Sequence, residues 1–404
     1  MKRRESFLTD PWFFVAATAL FWPTSLGAGI SLTLAGLGYA ICGCALLASL
    51  ITQPRPPALL LATILALYGM LWGYYFVNPE ATTVTDGAVL TRSVMCLFLL
   101  SRLRDARVSG VRFIAVLEFV FAIQLAAFGL DLPWITTPFA VAYDYYWDGL
   151  VQHMFSMGKP VGTFALHSVA AFASFLLLYV RSERYALFGR MTDLLMCGFQ
   201  LVVLVALASY TSLVLSALGA TLFLIRARMP LRTGLIVLGV AFLFLEFERA
   251  SDWVRAITSA TYSGPQSRFA PDTPVYETLV HIQSDRFSPV GFGFIDGVFY
   301  GDSGAVELLL RTGWMGLLIA YAAFMAFVFR NSHSTRDAAI VAATTIAFEI
   351  GHSALKDIRT FGILTVVLVA LNQARRFRAA TDKLERAMET GACRSKDRFH
   401  DAPA

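Results

Sequence analysis

Asp302 stands where a Gly- and Pro-punctuated stretch turns into an apolar run, RFSPVGFGFIDGVFYGDSGAVELLLRTGWMGLLIAY over 286–321. A carboxylate there can orient a hydroxyl or take its proton. The same position also suits a helix cap, which Asp302 or Ser303 can supply. Gly291, Gly293 and Gly297 permit the bends that lead into it. Glu307 and Arg311 follow, spaced four apart so that they share a helical face. They read either as an ion pair that lowers the cost of entering a membrane or as functional groups. Gly313, Gly316, Ala320 and Ala323 then form a small-residue stripe, which lets helices pack closely in lipid.

Upstream, 248–303 carries Arg249, Arg255, Arg268 and Arg286 among prolines and aromatics. Guanidinium binds phosphate bidentately and stays charged. The set therefore reads as a pocket for a phosphorylated lipid, against the plainer reading of ordinary loop salt bridges. Two further cationic positions fit the same chemistry. Lys159 precedes a Pro and a Gly, and otherwise serves as an interfacial anchor. His352 and Lys356, in EIGHSALKDIR, share a face if the helix continues through them; otherwise Lys356 snorkels to the interface. Glu118 and Glu349 lie inside apolar blocks without an assigned role. No metal-ligand spacing, phosphate-binding glycine loop or nucleophile elbow occurs, and the pattern calls for no cofactor and no metal.

These groups need a membrane to hold them. The chain of 404 residues is 57% hydrophobic, with a mean hydropathy of +0.62. Its apolar residues come in blocks of the length that crosses a bilayer as a helix. The expected fold is all-α: a polytopic transmembrane bundle of about 12 spans over 1–374, with a long periplasmic loop before span ten. The remainder, 375–404, reads as a charged, partly disordered cytoplasmic tail. The net charge of +5 comes from short loops and termini, where most Lys and Arg fall. The positive-inside rule then puts both termini in the cytoplasm and the loops 131–160 and 248–303 outside. No basic patch with interleaved aromatics points to nucleic acid. The five Cys have neither disulfide nor zinc spacing.

The order of features resembles a family: many spans, K-P-V-G-T-F at 159–164, a long Arg-bearing loop, G-F-G followed by D-S-G-A-V-E-L-L-L-R-T-G-W-M-G-L-L, then H-S-A-L-K. This is similar to the bacterial O-antigen polymerase and ligase superfamily, including Wzy- and ExoQ-like exopolysaccharide polymerases. The sequence-specific part is mainly 289–320, with weaker matches at 159–168 and 350–357. The resemblance implies a GT-C-like glycosyltransferase at the periplasmic face of the bacterial inner membrane. Its donor would be an undecaprenyl-diphosphate-linked oligosaccharide, its acceptor a hydroxyl of another lipid-linked repeat, and it would use no metal. It implies diphosphate contacts from Arg268, Arg286 and Lys159, and partners in a chain-length regulator and a flippase. Ligase members usually carry a His-Asn pair where this chain reads Asp302-Ser303-Gly304, which favours a polymerase. A ligase and a polysaccharide or lipid transporter are the competing readings; a transporter usually shows internal repeats and midplane binding residues.

Overall fold

The computed structural model describes residues 11–23, 37–44, 58–77, 84–101, 109–143, 150–164, 166–207, 209–227, parts of 271–280, 303–355 and 357–397. Among them, regular structure is helical throughout. In chain order the helices are α1 (Pro11–Phe21), α2 (Ala58–Val77), α3 (Val84–Ser101), α4 (Gly110–Gly129), α5 (Pro133–Tyr143), α6 (Leu150–Ser156), α7 (His167–Phe188), α8 (Met191–Ala206), α9 (Tyr210–Arg226), α10 (Gly304–Asn331), α11 (Thr335–Gly351) and α12 (Ile358–Asp397). A further helical stretch covers 37–44.

Among the described residues, three helices are long and apolar enough to cross a membrane: Gly110–Gly129, Gly304–Asn331 and the Ile358–Met388 part of α12. Shorter apolar helices lie in α1, α2, α8 and α9. Large apolar side chains stand exposed on the periphery, among them Leu65, Phe119, Leu195, Ile225 and Leu318. In water such a surface would aggregate; against lipid tails it costs nothing.

α7 is the hub. Every residue from Ser168 to Glu183 is buried, as expected of a helix that is apolar over most of its circumference. It packs against α8, α9 and α12. The first half of α12 is the second buried element, and also touches α1, α3 and α4. Gly110 makes the α4 contact possible, because a Cβ there would stand 2.7 Å from the α12 backbone at Val366 and Ala370. α10 packs against α2, α3 and α11. Its small-residue stripe of Gly313, Gly316, Ala320 and Ala323 is buried, as the sequence reading expects. Gly313 breaks the helix at φ 65°, ψ −173°, a conformation essentially confined to glycine.

The ends of the helices follow local chemistry. Ser209, Ser303 and Ser334 accept hydrogen bonds from Ser212, Val306 and Asp337 N–H groups and start α9, α10 and α11. Gly189 ends α7 in the left-handed conformation, the usual helix stop.

Three features differ from the sequence reading. The loop 131–160 contains α5 and α6. The charged tail continues α12 as far as Asp397; its Arg378–Asp382 pair at 3.0 Å is an i,i+4 contact that supports a helix. The helix through His352 and Lys356 does not form, because α11 ends at Gly351 and His352 is extended. The reason lies in the next turn. The Leu355 N–H donates to the Glu349 carboxylate at 3.0 Å, so a side chain takes a backbone donor that a continued helix would need.

Candidate functional site

α10 begins with Ser303 as its cap, at 3.3 Å from the Val306 N–H. The choice between Asp302 and Ser303 thus falls on the hydroxyl. Asp302 itself lies outside the described residues, as do Arg268, Arg286 and Lys356. One turn into α10, Glu307 and Arg311 pair at 2.9 Å, both at about 5% exposure. Glu307 also accepts the Ser353 hydroxyl at 3.3 Å. Two charges this deep need each other, since an unpaired buried charge is far costlier than a pair.

Glu349 joins this group from α11. It is buried, and its second oxygen lies against Gly304: a Cβ on Gly304 would come within 1.9 Å of Glu349 Oε1 and 2.9 Å of the Ser353 Cα. Glycine is therefore required for the first turn of α10 to meet the end of α11. Two carboxylates, Glu307 and Glu349, share the neighbourhood of one turn, 352–355. His352 places its ring 5.2 Å from that of Phe348.

The same turn leads into α12, whose start is capped by Asp357. That carboxylate accepts the Arg359 and Thr360 N–H groups at 3.2 Å and the Thr360 hydroxyl at 2.6 Å. Arg359, buried, then reaches sideways. It donates to the Thr163 and Trp22 carbonyls and lies 5.0 Å from the centre of the Tyr143 ring, within cation–π range. Tyr143 donates to the Phe21 carbonyl at 3.0 Å. Burial pushes its phenol above the ordinary value, with Arg359 opposing.

Thr163 belongs to the turn that carries Lys159. Gln124 holds this turn from α4, donating to the Gly162 carbonyl at 3.0 Å and accepting its N–H at 2.8 Å. The Lys159 N–H donates to the Met154 carbonyl at 3.1 Å. Its side chain is half-buried, and burial pushes its ammonium pKa down. An anion placed beside it would restore the charged form.

The structure thus brings together three segments that are far apart in sequence. Ser353–Glu307 ties 352–359 to α10, and Arg359–Thr163 ties it to the Lys159 turn. Sequence reading left two participants unassigned. Glu349 lacks a Lys or Arg three or four residues away, and an acid in that position signals a tertiary partner. Arg359 sat in a motif read for its His and Lys. Among the described residues no three His, Cys, Asp or Glu side chains converge as a metal site.

A second polar cluster lies at the far end of the helices. α10 runs for 28 residues from Gly304, with its break at Gly313, and α11 starts back from its far end. Glu183 accepts both Nε and Nη2 of Arg226 at 2.8 Å, as well as Arg336 and Arg375. Asp337 accepts from Arg375 at 3.0 Å and from the Tyr179 hydroxyl at 2.7 Å. Beside it, Arg181 bridges Glu118 and Asp193, and Arg184 donates to Asp193 at 3.1 Å. Arg181, Arg184, Arg226 and Arg336 are each paired with a carboxylate.

Comparisons with family models, with curated proteins and with solved structures found no match for this chain.

Proposed function

We propose that the protein polymerises undecaprenyl-diphosphate-linked oligosaccharide repeats, as an inner-membrane enzyme of about 12 spans whose loops 131–160 and 248–303 face the periplasm. One observation carries the reading. The stretches behind the family resemblance, 159–168, 289–320 and 350–357, have described parts that meet at one end of the bundle: Ser353–Glu307 joins the last two directly, and Glu349 and Arg359, which flank 350–357, reach Gly304 and Thr163. A shared site predicts such a meeting; unrelated loops do not require it.

The chemistry follows from the groups in hand. The acceptor hydroxyl oxygen forms a bond to the anomeric carbon of the donor sugar. The bond from that carbon to the diphosphate breaks, and its electron pair leaves with undecaprenyl diphosphate. Arg268 and Arg286 stabilise the charge that develops on the leaving group, the largest single contribution such a site can make. Asp302, one residue before the Ser303 cap, takes the hydroxyl proton. Lys159 adds a cation whose charged form a diphosphate favours. The Glu307–Arg311 pair fixes the mouth of α10, and His352 and Lys356 add cations for the diphosphate.

The test has two parts. In a cysteine-free background, Ser156→Cys should react with a membrane-impermeant thiol reagent in spheroplasts, and Lys383→Cys only after lysis; the reverse pattern sinks the topology. In a polymerase-null strain, Arg268→Lys, which keeps charge but loses the bidentate fork, should shorten the glycan ladder by roughly 10² fold in product. Asp302→Asn should do the same. Normal ladders from both variants at matched protein levels would remove the catalytic assignment.

A further inference from the structure

The arginine cluster at the Asn331 end carries more positive charge than its carboxylates neutralise. Glu183 and Asp337 are two negative groups; Arg226, Arg336 and Arg375 are three positive ones. The cluster is layered. The Glu183 and Asp337 side chains are 0% and 3% exposed, whereas those of Arg226, Arg336 and Arg375 are 30%, 41% and 22% exposed. The negative charge is sealed inside and the positive charge faces out.

Two further observations point to an anion on that outer face. Arg336 sits in the first turn of α11, where the helix dipole is positive and disfavours a cation. Arg336 and the helix end therefore add their fields. Arg226 also spends only Nε and Nη2 on Glu183, and among the described residues its Nη1 has no acceptor. Guanidinium groups held from behind by a carboxylate present their remaining N–H donors without further ordering cost, and the fork geometry suits phosphate oxygens.

We propose that Arg226, Arg336 and Arg375 form a binding site for a phosphate oxyanion on the face of the bundle opposite Gly304. Two sources share that chemistry: the headgroup of an acidic phospholipid in the adjoining leaflet, and free phosphate. The site is independent of the polymerase reading, and its test uses no glycan assay.

Arg336→Gln is the informative variant. It removes the surplus charge while Arg226 and Arg375 still neutralise Glu183 and Asp337, so the core keeps its balance. The full chain is placed in nanodiscs of phosphatidylcholine alone, or of equal parts phosphatidylcholine and phosphatidylglycerol, and its thermal midpoint is recorded with and without inorganic phosphate. The expected result is a rise in midpoint with phosphatidylglycerol for the native chain, and a loss of about tenfold or more in the acidic lipid's apparent affinity for Arg336→Gln. Arg336→Lys should retain an intermediate rise, because it keeps the charge and not the fork. A rise with inorganic phosphate in pure phosphatidylcholine would assign the site to free phosphate. Equal responses of native and Arg336→Gln chains to both ligands, with the variant's midpoint unchanged in phosphatidylcholine, would overturn the proposal and leave the cluster a structural lock.

Discussion

The two ends of the bundle handle buried charge in opposite ways. At the Asn331 end, arginines from three helices converge on one glutamate, and carboxylate meets guanidinium directly. At the Gly304 end charges are more dispersed. Arg359 is held by backbone carbonyls and an aromatic ring, Glu349 by a backbone N–H, and Glu307 by one arginine and one hydroxyl. A carboxylate saturated by guanidinium is committed to structure. One end is thus built from side-chain ion pairs between helices, and the other from single charges that tie backbone segments together.

The contrast is most sharply tested by removing its anchor. Glu183→Gln leaves Arg226, Arg336 and Arg375 facing one another without their shared carboxylate. Breaking a buried ion pair from one side costs about 3–5 kcal/mol. The variant should show a large drop in thermal midpoint or fail to accumulate in the membrane. A midpoint within a few degrees of the native value would mean that the hub is dispensable.

Gly304→Ala attacks the other end. Its Cβ cannot coexist with Glu349 Oε1 at 1.9 Å, so the mouth of α10 must shift. Displacements of about 1 Å near a reacting centre cost on the order of 10² fold in rate. On the proposed polymerase reading, glycan ladders should shorten by that order, while the thermal midpoint moves less than for Glu183→Gln. Adding Glu349→Ala removes the closest contact and leaves the 2.9 Å approach to the Ser353 Cα, so the double variant should recover part of the packing if the carboxylate clash is the main cause. A double variant no more stable than Gly304→Ala would dismiss the clash.

Arg359→Lys loses the fork that spans Thr163 and Trp22. Charge-assisted hydrogen bonds are worth about 1.5–3 kcal/mol, and a lysine retains part of this. The expected outcome is a loss of roughly 1 kcal/mol, together with faster amine labelling of Lys159 as its turn loosens. Unchanged labelling would separate the Lys159 turn from 352–359. At the small end, Arg378→Ala breaks only the exposed pair with Asp382, and the midpoint should move by less than about 0.5 kcal/mol equivalent.

Legibility in the sequence tracked the distance over which an interaction acts. The Glu307–Arg311 spacing, a cap at Asp302 or Ser303 and the small-residue stripe depend on residues within a few helical turns, and each was legible to that extent; the choice of Ser303 was not. His352 and Lys356 would share a face only in a continued helix. Helical spacing placed them on one face, but Glu349, six residues before Leu355, captured the backbone donor and ended the helix. The arginines of 181–190, 226–232 and 330–336 obeyed the charge bias of short loops, so nothing local distinguished a solvated arginine from a paired one.

The sequence by itself determined that the chain forms apolar helices with a charged entry to α10. Helical periodicity, capping chemistry and apolar block length are properties of neighbouring residues. Only the tertiary structure decided which charges meet. Glu183 finds arginines 43, 153 and 192 residues away, and Arg359 reaches Thr163 across 196 residues. Such pairs form because a buried charge must find a partner wherever packing delivers one. The order in which the helices pack around α7 selects that partner, and no spacing in the sequence encodes it.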